Sequence, residues 1–314
     1  GADLLILGRV DNLDSSFDET TGTLTITGRG TVDDYQAALA SVLFENETPY
    51  LREATRTLTY TLTSYTGVET SANLNIFMTA ATTTETDIST VSTRDQLATA
   101  IASASSGDIL YFNSSSDISI DFSEGGTETY NHISMTKNIS FENRGTGTVT
   151  FDGGGEATQF FHIDTGVFVH FDGLTFNDGE VSTTDTSNEY NGAAINNEGF
   201  LTLRNSSFTN NEASSNSDLG GAVYNASNAQ LNIYDTSFDS NLTDDDGGAI
   251  YNLGKLWVEG SSFSNNYAPS GGTIYNDGNT IVKSSSFTNN TGVGHFLTKC
   301  QSVGVKITAL SAPC

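Results

Sequence analysis

The stretch "GGAIYNLGKLWVEGSSFSNN" at residues 247–266 returns 24 residues later as "GGTIYNDGNTIVKSSSFTNN". Looser copies precede it as "NGAAINNEGFLTLRNSSFTNN" and "GGAVYNASNAQLNIYDTSFDSN". A fixed period in the twenties, with strand-like alternation inside each copy, specifies a solenoid. One copy cannot bury its apolar face alone, so each must lie on the next. Aligned on the second glycine of each copy, at Gly192, Gly221, Gly248 and Gly272, the offsets are 29, 27 and 24 residues. Asn191 replaces the first glycine of the earliest copy.

This alignment assigns columns. Strand parity turns Ala194, Val223, Ile250 and Ile274 inward. It does the same for Leu203, Ile233, Val258 and Val282, and for Phe208, Phe238, Phe263 and Phe287. Two asparagine columns fall at turns: Asn196, Asn225, Asn252 and Asn276, then Asn211, Asn241, Asn266 and Asn290. With coils stacked about 4.8 Å apart, these columns form amide ladders, each side chain bonding its equivalent in the next coil. An outward column of Tyr224, Tyr251 and Tyr275 either stacks on itself or presents rings to sugars. Ser207, Ser237, Ser262 and Ser286 form a flat hydroxyl face.

The 314-residue chain has 12 basic and 38 acidic residues, a formal net charge of −26. Nucleic acid and anionic membrane surfaces are excluded as partners, because both need clustered Lys and Arg. No apolar run reaches the length of a membrane span. The abundance of Asn, Ser, Thr and Gly fits secreted, turn-rich β structure. The start at "GADLLILG", without Met or a signal pattern, reads as a piece of a longer or processed chain. The two cysteines, Cys300 and Cys314, are expected to pair as a disulfide that staples a C-terminal cap, which implies an oxidising extracellular compartment. Sequons begin at Asn46, Asn113, Asn138, Asn205, Asn225, Asn241 and Asn289 and are candidate glycosylation sites.

Residues 1–80 alternate apolar and polar in five short runs, "DLLILG", "TLTITG", "SVLFEN", "RTLTYTLT" and "ANLNIFMT", with one helical turn in "TVDDYQAALASV". This predicts a small antiparallel sandwich. The wording "TGTLTITGRGTVDDYQAALASVLFENET" resembles the cadherin-like, immunoglobulin-type repeats of surface adhesins. The resemblance implies calcium ligands, although Ser64 and Tyr65 stand where the family has an acidic residue, and its leading strands are missing. Five strands where seven are usual imply either an upstream partner segment or a strand donated by another copy. Residues 81–90 read as a Thr-rich linker. Residues 91–314 begin with a capping helix: Thr93 and Gln96 make a capping box, Leu97 and Ile101 an apolar stripe, and Gly107 a stop. A short helix leading into a strand resembles the first coil of pectate-lyase-like β-helices. The "GGA[IV]…FxxN" repeat resembles that of chlamydial polymorphic outer-membrane proteins.

Enzymes of the pectate-lyase-like fold need carboxylates clustered with a base. Between residues 150 and 290 the basic residues are Arg204, Lys255 and Lys283, on separate coils. Asp152 with Asp172 is the best carboxylate pair, and either a turn-capping or a catalytic role fits the spacing. His162 and His170 lie among apolar strand positions. The segments between "FxxN" and the next "GGA" are acidic and read as loops leaving one edge. Asp244, Asp245 and Asp246 are the densest oxygen cluster there and the candidate Ca2+ or ligand site. The expected architecture is an all-β chain: a cadherin-like sandwich, then a right-handed parallel β-helix of seven or eight coils. The expected role is a non-enzymatic structural or adhesive module outside the cell, partnered by copies of itself, surface proteins or glycans. The alternative is a carbohydrate-active β-helix.

Overall fold

The computed structural model describes residues 83–123, 132–154, 159–181, 191–214, 219–293 and 296–298, together with six strands in the first 82 residues. The chain divides into two compact units after Thr82.

The first unit contributes three antiparallel pairs. Asp3–Leu7 pairs with Val42–Asn46, Leu13–Asp18 with Thr23–Gly28, and Ala54–Thr63 with Glu69–Met78. The strand Leu13–Asp18 is additional to the five read from the sequence, because serines at 15 and 16 hide its alternation. The expected cadherin-like packing of these pairs into a sandwich, and the helical turn near Tyr35, lie outside the described residues.

The second unit is a parallel β-solenoid with four sheets running along its axis. In the coil after Gly192, sheet 1 holds Ile195–Asn197, sheet 2 Phe200–Arg204, sheet 3 Ser207–Thr209 and sheet 4 Glu212–Ala213. Five turns contain all four strands, against the expected seven or eight. The earlier coils, from Asp108–Phe112 to Val149–Asp152, contribute to sheets 1 to 3 only. Sheet 4 was read as loop from the sequence. Its strands in the three turns from Glu180 to Thr243 are two residues long, too short for a period to register. Glu85–Asp87, inside the expected linker, pairs with Asp108–Phe112 and so belongs to the solenoid.

Helix α1 (Arg94–Ser103) covers the first coil. Thr93 Oγ1 accepts from the Gln96 backbone N–H, while Gln96 Oε1 accepts from the Ser92 backbone N–H one residue earlier than a standard capping box. Leu97 and Ile101 are buried in the core. The helix ends at Ser103, before Gly107, with the N–H of the extended Ala104 bonded back to Ala100 and Ile101.

The core repeats coil by coil. Phe176, Phe208, Phe238, Phe263 and Phe287 stack nearly parallel, with successive ring centroids 4.4, 4.8, 4.9 and 4.8 Å apart. Leu203, Ile233, Val258 and Val282 are in register on sheet 2 and buried. On sheet 1 the register is Ile195, Val223, Ile250 and Ile274, so the inward residue of the first copy is Ile195 and not Ala194. The glycine alignment explains the shift. Gly192, Gly220, Gly247 and Gly271 share a left-handed backbone, with φ of 76°, 78°, 77° and 70°. Gly192 therefore matches the first glycine of the later copies, and the sequence alignment was one residue out at that copy.

Phe238 sits mid-stack and fully buried, so Phe238→Ala removes both ring contacts. The expected loss is about 3–5 kcal/mol, read as a fall in the chemical denaturation midpoint. Ser227, exposed in a turn of the same coil, is the control; its change to Ala should leave the midpoint in place.

Candidate functional site

The corners of the coils carry most of the polar chemistry, and each corner does so differently. Where sheet 3 turns into sheet 4, Asn211, Asn241, Asn266 and Asn290 form a ladder. Each Nδ2 donates to the next Oδ1, at 2.8, 2.9 and 2.9 Å. Each Nδ2 also donates to the carbonyl of a phenylalanine one coil back, from Phe176 for Asn211 to Phe263 for Asn290. Each Oδ1 accepts a backbone N–H of the preceding coil, which in Asn241, Asn266 and Asn290 is its second bond. In the interior members Asn241 and Asn266, both donor hydrogens and two acceptor positions are thus filled. All four residues are buried.

The second amide ladder lies after sheet 1. Asn197 donates to Asn225 at 2.7 Å, Asn225 to Asn252 at 2.6 Å and Asn252 to Asn276 at 2.6 Å. Asn196, expected here, lies instead in register with Tyr224. This is the same one-residue shift at Gly192. The column containing Asn196 also holds His162, Tyr224, Tyr251 and Tyr275.

A third ladder was not read from the sequence. Where sheet 2 turns into sheet 3, Ser206, Thr236, Ser261 and Ser285 each donate a hydroxyl to the carbonyl two residues back. Each also accepts the backbone N–H of the preceding coil. The clue was available: one residue before each lies Asn205, Asp235, Gly260 or Ser284, all with positive φ. Asn210, Ser240, Asn265 and Asn289 repeat that conformation one residue before the first ladder. Left-handed backbone tolerates Gly, Asn and Asp best, which accounts for much of the composition.

These burials bear on the sequons. Asn225 and Asn241 are 0% exposed and both amides are engaged, so neither can carry a glycan in the folded chain. Asn113, Asn205 and Asn289 are exposed and Asn138 half-buried. Asn46 has no described side chain, and Cys300 and Cys314 lie outside the described residues, as does His295.

The candidate catalytic groups are dispersed. Asp152 stands on sheet 3 opposite Asn177 and caps the Gly154 N–H at 3.1 Å, while Asp172 stands on sheet 2 opposite Arg204. His170 is on sheet 2 with its imidazole pKa pushed down by burial. His162 is on sheet 1, its ring 5.5 Å from that of His132. Arg204 lies over the Tyr234 ring at 4.5 Å and Lys283 over Trp257 at 4.3 Å. The tyrosines stack on each other, Tyr251 to Tyr275 at 4.5 Å, and Tyr224 is buried. Burial pushes the Tyr251 hydroxyl pKa far up.

On the acidic edge, Asp244 is exposed and Asp245 and Asp246 are half-buried, with Asp246 Oδ1 buried and without a hydrogen-bond partner. Burial, and then the charge of Asp246, raise the Asp245 carboxyl pKa. Among the described residues no three of His, Cys, Asp and Glu converge to hold a metal ion. Glu180 and Glu212 pair in register on sheet 4; Asp185, Glu189 and Asp218 lie outside the described residues.

The sequence profile of the Chlamydia polymorphic membrane protein repeat matches residues 235–253. That segment spans the sheet 3 strand Ser237–Asp239, ladder residue Asn241, the acidic turn, left-handed Gly247 and ladder residue Asn252. It thus takes in one member of each amide ladder. No curated protein matches the chain.

Two outcomes are expected. Asn241→Ala strands buried groups on both neighbouring coils, at roughly 1–3 kcal/mol each; its denaturation midpoint should fall far more than that of Asn228→Ala, an exposed loop change. Equal effects would refute the ladder as a source of stability. Asp245 has its pKa raised in the folded chain, so the fold holds that proton more firmly than the unfolded chain does. Its stability contribution is therefore best at low pH and worsens as pH rises through the carboxylate range. Asp245→Asn should raise the thermal midpoint by a few degrees at neutral pH and leave it unchanged in acid, below the ordinary carboxylate pKa of about 3.9.

Proposed function

We propose that the chain is a non-enzymatic extracellular module, a stiff spacer or adhesive rod in a surface or filament protein. The observation that carries this reading is the three ladders. They tie every coil from Gly179 to Asn290 to its neighbours through hydrogen bonds that are mostly buried, an arrangement suited to carrying load or holding a surface at a distance. The polymorphic membrane protein repeat match supports a cell-surface setting. The scattering of Asp152, Asp172, His162 and His170 over three sheets favours this reading over a polysaccharide lyase or hydrolase. No helix is long and apolar enough to cross a membrane among the described residues.

Calcium binding at Asp244–Asp246 is a second reading, favoured by the unpartnered Asp246 oxygen. Under it, a chelator should lower the thermal midpoint of the wild type and not of Asp245→Asn.

The main test pairs location with turnover. Antibody against the chain should label intact producing cells, and brief protease treatment of those cells should remove the signal. Incubation with pectic, alginate and β-glucan polysaccharides should release no reducing ends or unsaturated products. Labelling only after lysis would overturn the surface role, and turnover would overturn the non-enzymatic one.

A further inference from the structure

At the corner between sheets 2 and 3 the outer surface is concave. A groove of about 360 Å³ runs across the coils there, within the size range of small-ligand sites, ~300–1,000 Å³. Thr175, Ser207, Ser237 and Ser262 line it, one from each of four successive sheet 3 strands, together with the corner residues Asn205 and Asp235. At the stack spacing of about 4.8 Å, these four strands span roughly 14 Å along the axis. We propose that this groove binds a neutral, linear glycan lying along the rod axis. The proposal gives the adhesive reading a ligand class and rests on that reading for its setting.

The chemistry of the lining selects the ligand. The groove offers hydroxyls at regular intervals, the exposed Asp235 carboxylate, and the Asn205 amide, whose Nδ2 also donates to Asp172 Oδ1 at 2.8 Å. Hydroxyls donate or accept as the ligand requires, and a sugar chain presents hydroxyls at comparable density. The inner hydroxyls of Ser206 and Thr236 are committed to the corner ladder, which fixes the floor. Ser207, Ser237 and Ser262 point outward beside it; Ser237 Oγ donates to Ser207 Oγ at 3.0 Å, and Ser262 is exposed. Gly173 and Gly260, both left-handed, line the groove on either side of Asn205 and Asp235, and the Asp235 carboxylate lies against Gly260, where a side chain would collide with it.

The same features turn other ligands away. Leu174, the one apolar side chain in the lining, is buried, so the groove has no surface for a lipid or an aromatic molecule. A polyanion meets a chain of net charge −26 and Asp235 at the mouth. An extended peptide binds a sheet by pairing with a free edge strand, and the central strands along the groove, Ser207–Thr209 and Ser237–Asp239, are paired on both sides. Contacts from one coil are weak, and affinity comes from engaging several coils at once.

The test titrates cellohexaose, laminarihexaose and mannohexaose into the full chain by calorimetry, with dextran sulfate as the charged comparison. At least one neutral hexaose should bind, and raising salt should not weaken it. Ser237→Tyr fills the groove from an outward position and should weaken binding at least tenfold with an unchanged thermal midpoint. Asp235→Asn keeps a residue that tolerates the left-handed backbone, φ 46°, and should weaken binding several-fold. Lys255→Ala, on the far side of sheet 2, should bind as the wild type does. Binding of none of the three neutral hexaoses overturns the proposal, as does binding that both groove variants leave unchanged. Binding of dextran sulfate alone, abolished by salt, overturns the neutral class. Any of these results leaves the surface-module reading standing, because cell labelling tests that separately.

Discussion

A buried primary amide has two donor hydrogens and an oxygen that accepts two bonds, and leaving any of them empty in a dry interior is costly. In this solenoid a side chain at 211, 241, 266 or 290 can meet that demand only through the coils on either side. The amide therefore works as a gauge of spacing and register. A coil displaced by one residue would break bonds to both neighbours at once. The stacked phenylalanines set the same spacing from the apolar side, and their near-parallel rings follow from the like-on-like register the amides impose.

The ladders depend in turn on backbone geometry. Each residue of the Asn211 and Ser206 columns follows one in left-handed conformation, which bends the chain sharply and points the next side chain into the coil. Such bends would be strained for most residues. The composition, rich in Asn, Ser and Gly, is thus a record of three corners per turn rather than of surface polarity alone.

How much of this the sequence revealed varied with the length of each element. The sheet 2 and sheet 3 columns were legible because Leu203, Phe208 and Asn211 keep the same spacing in every copy. Sheet 4 was invisible because two alternating residues make no period. The first copy misled because Asn196 and Asn197 are adjacent, and Gly192 is followed by alanine where the others have a second glycine. Only the left-handed φ of Gly192 resolves which amide joins the ladder. The hydroxyl ladder was overlooked for a similar reason: serine occurs at both 206 and 207, and parity alone did not separate the inner from the outer. The groove arises where those outer serines of separate copies converge across a corner, which no single repeat contains.

The spacing of the ladders also governs where the gene for such a chain can gain or lose codons. Members of the Asn211 column are 30, 25 and 24 residues apart, and those of the Asn197 column 28, 27 and 24. The differences fall in two places, the turn from sheet 1 to sheet 2 and the stretch from sheet 4 back to sheet 1. From sheet 2 through the Asn211 column every copy has the same length. An insertion at the first two places is absorbed as a larger turn, whereas one codon added between Leu203 and Asn211 would face every later side chain of that coil the wrong way. Growth of such a rod is thus quantised: it lengthens by whole coils, each new one entering with its amides already matched to the copy it came from.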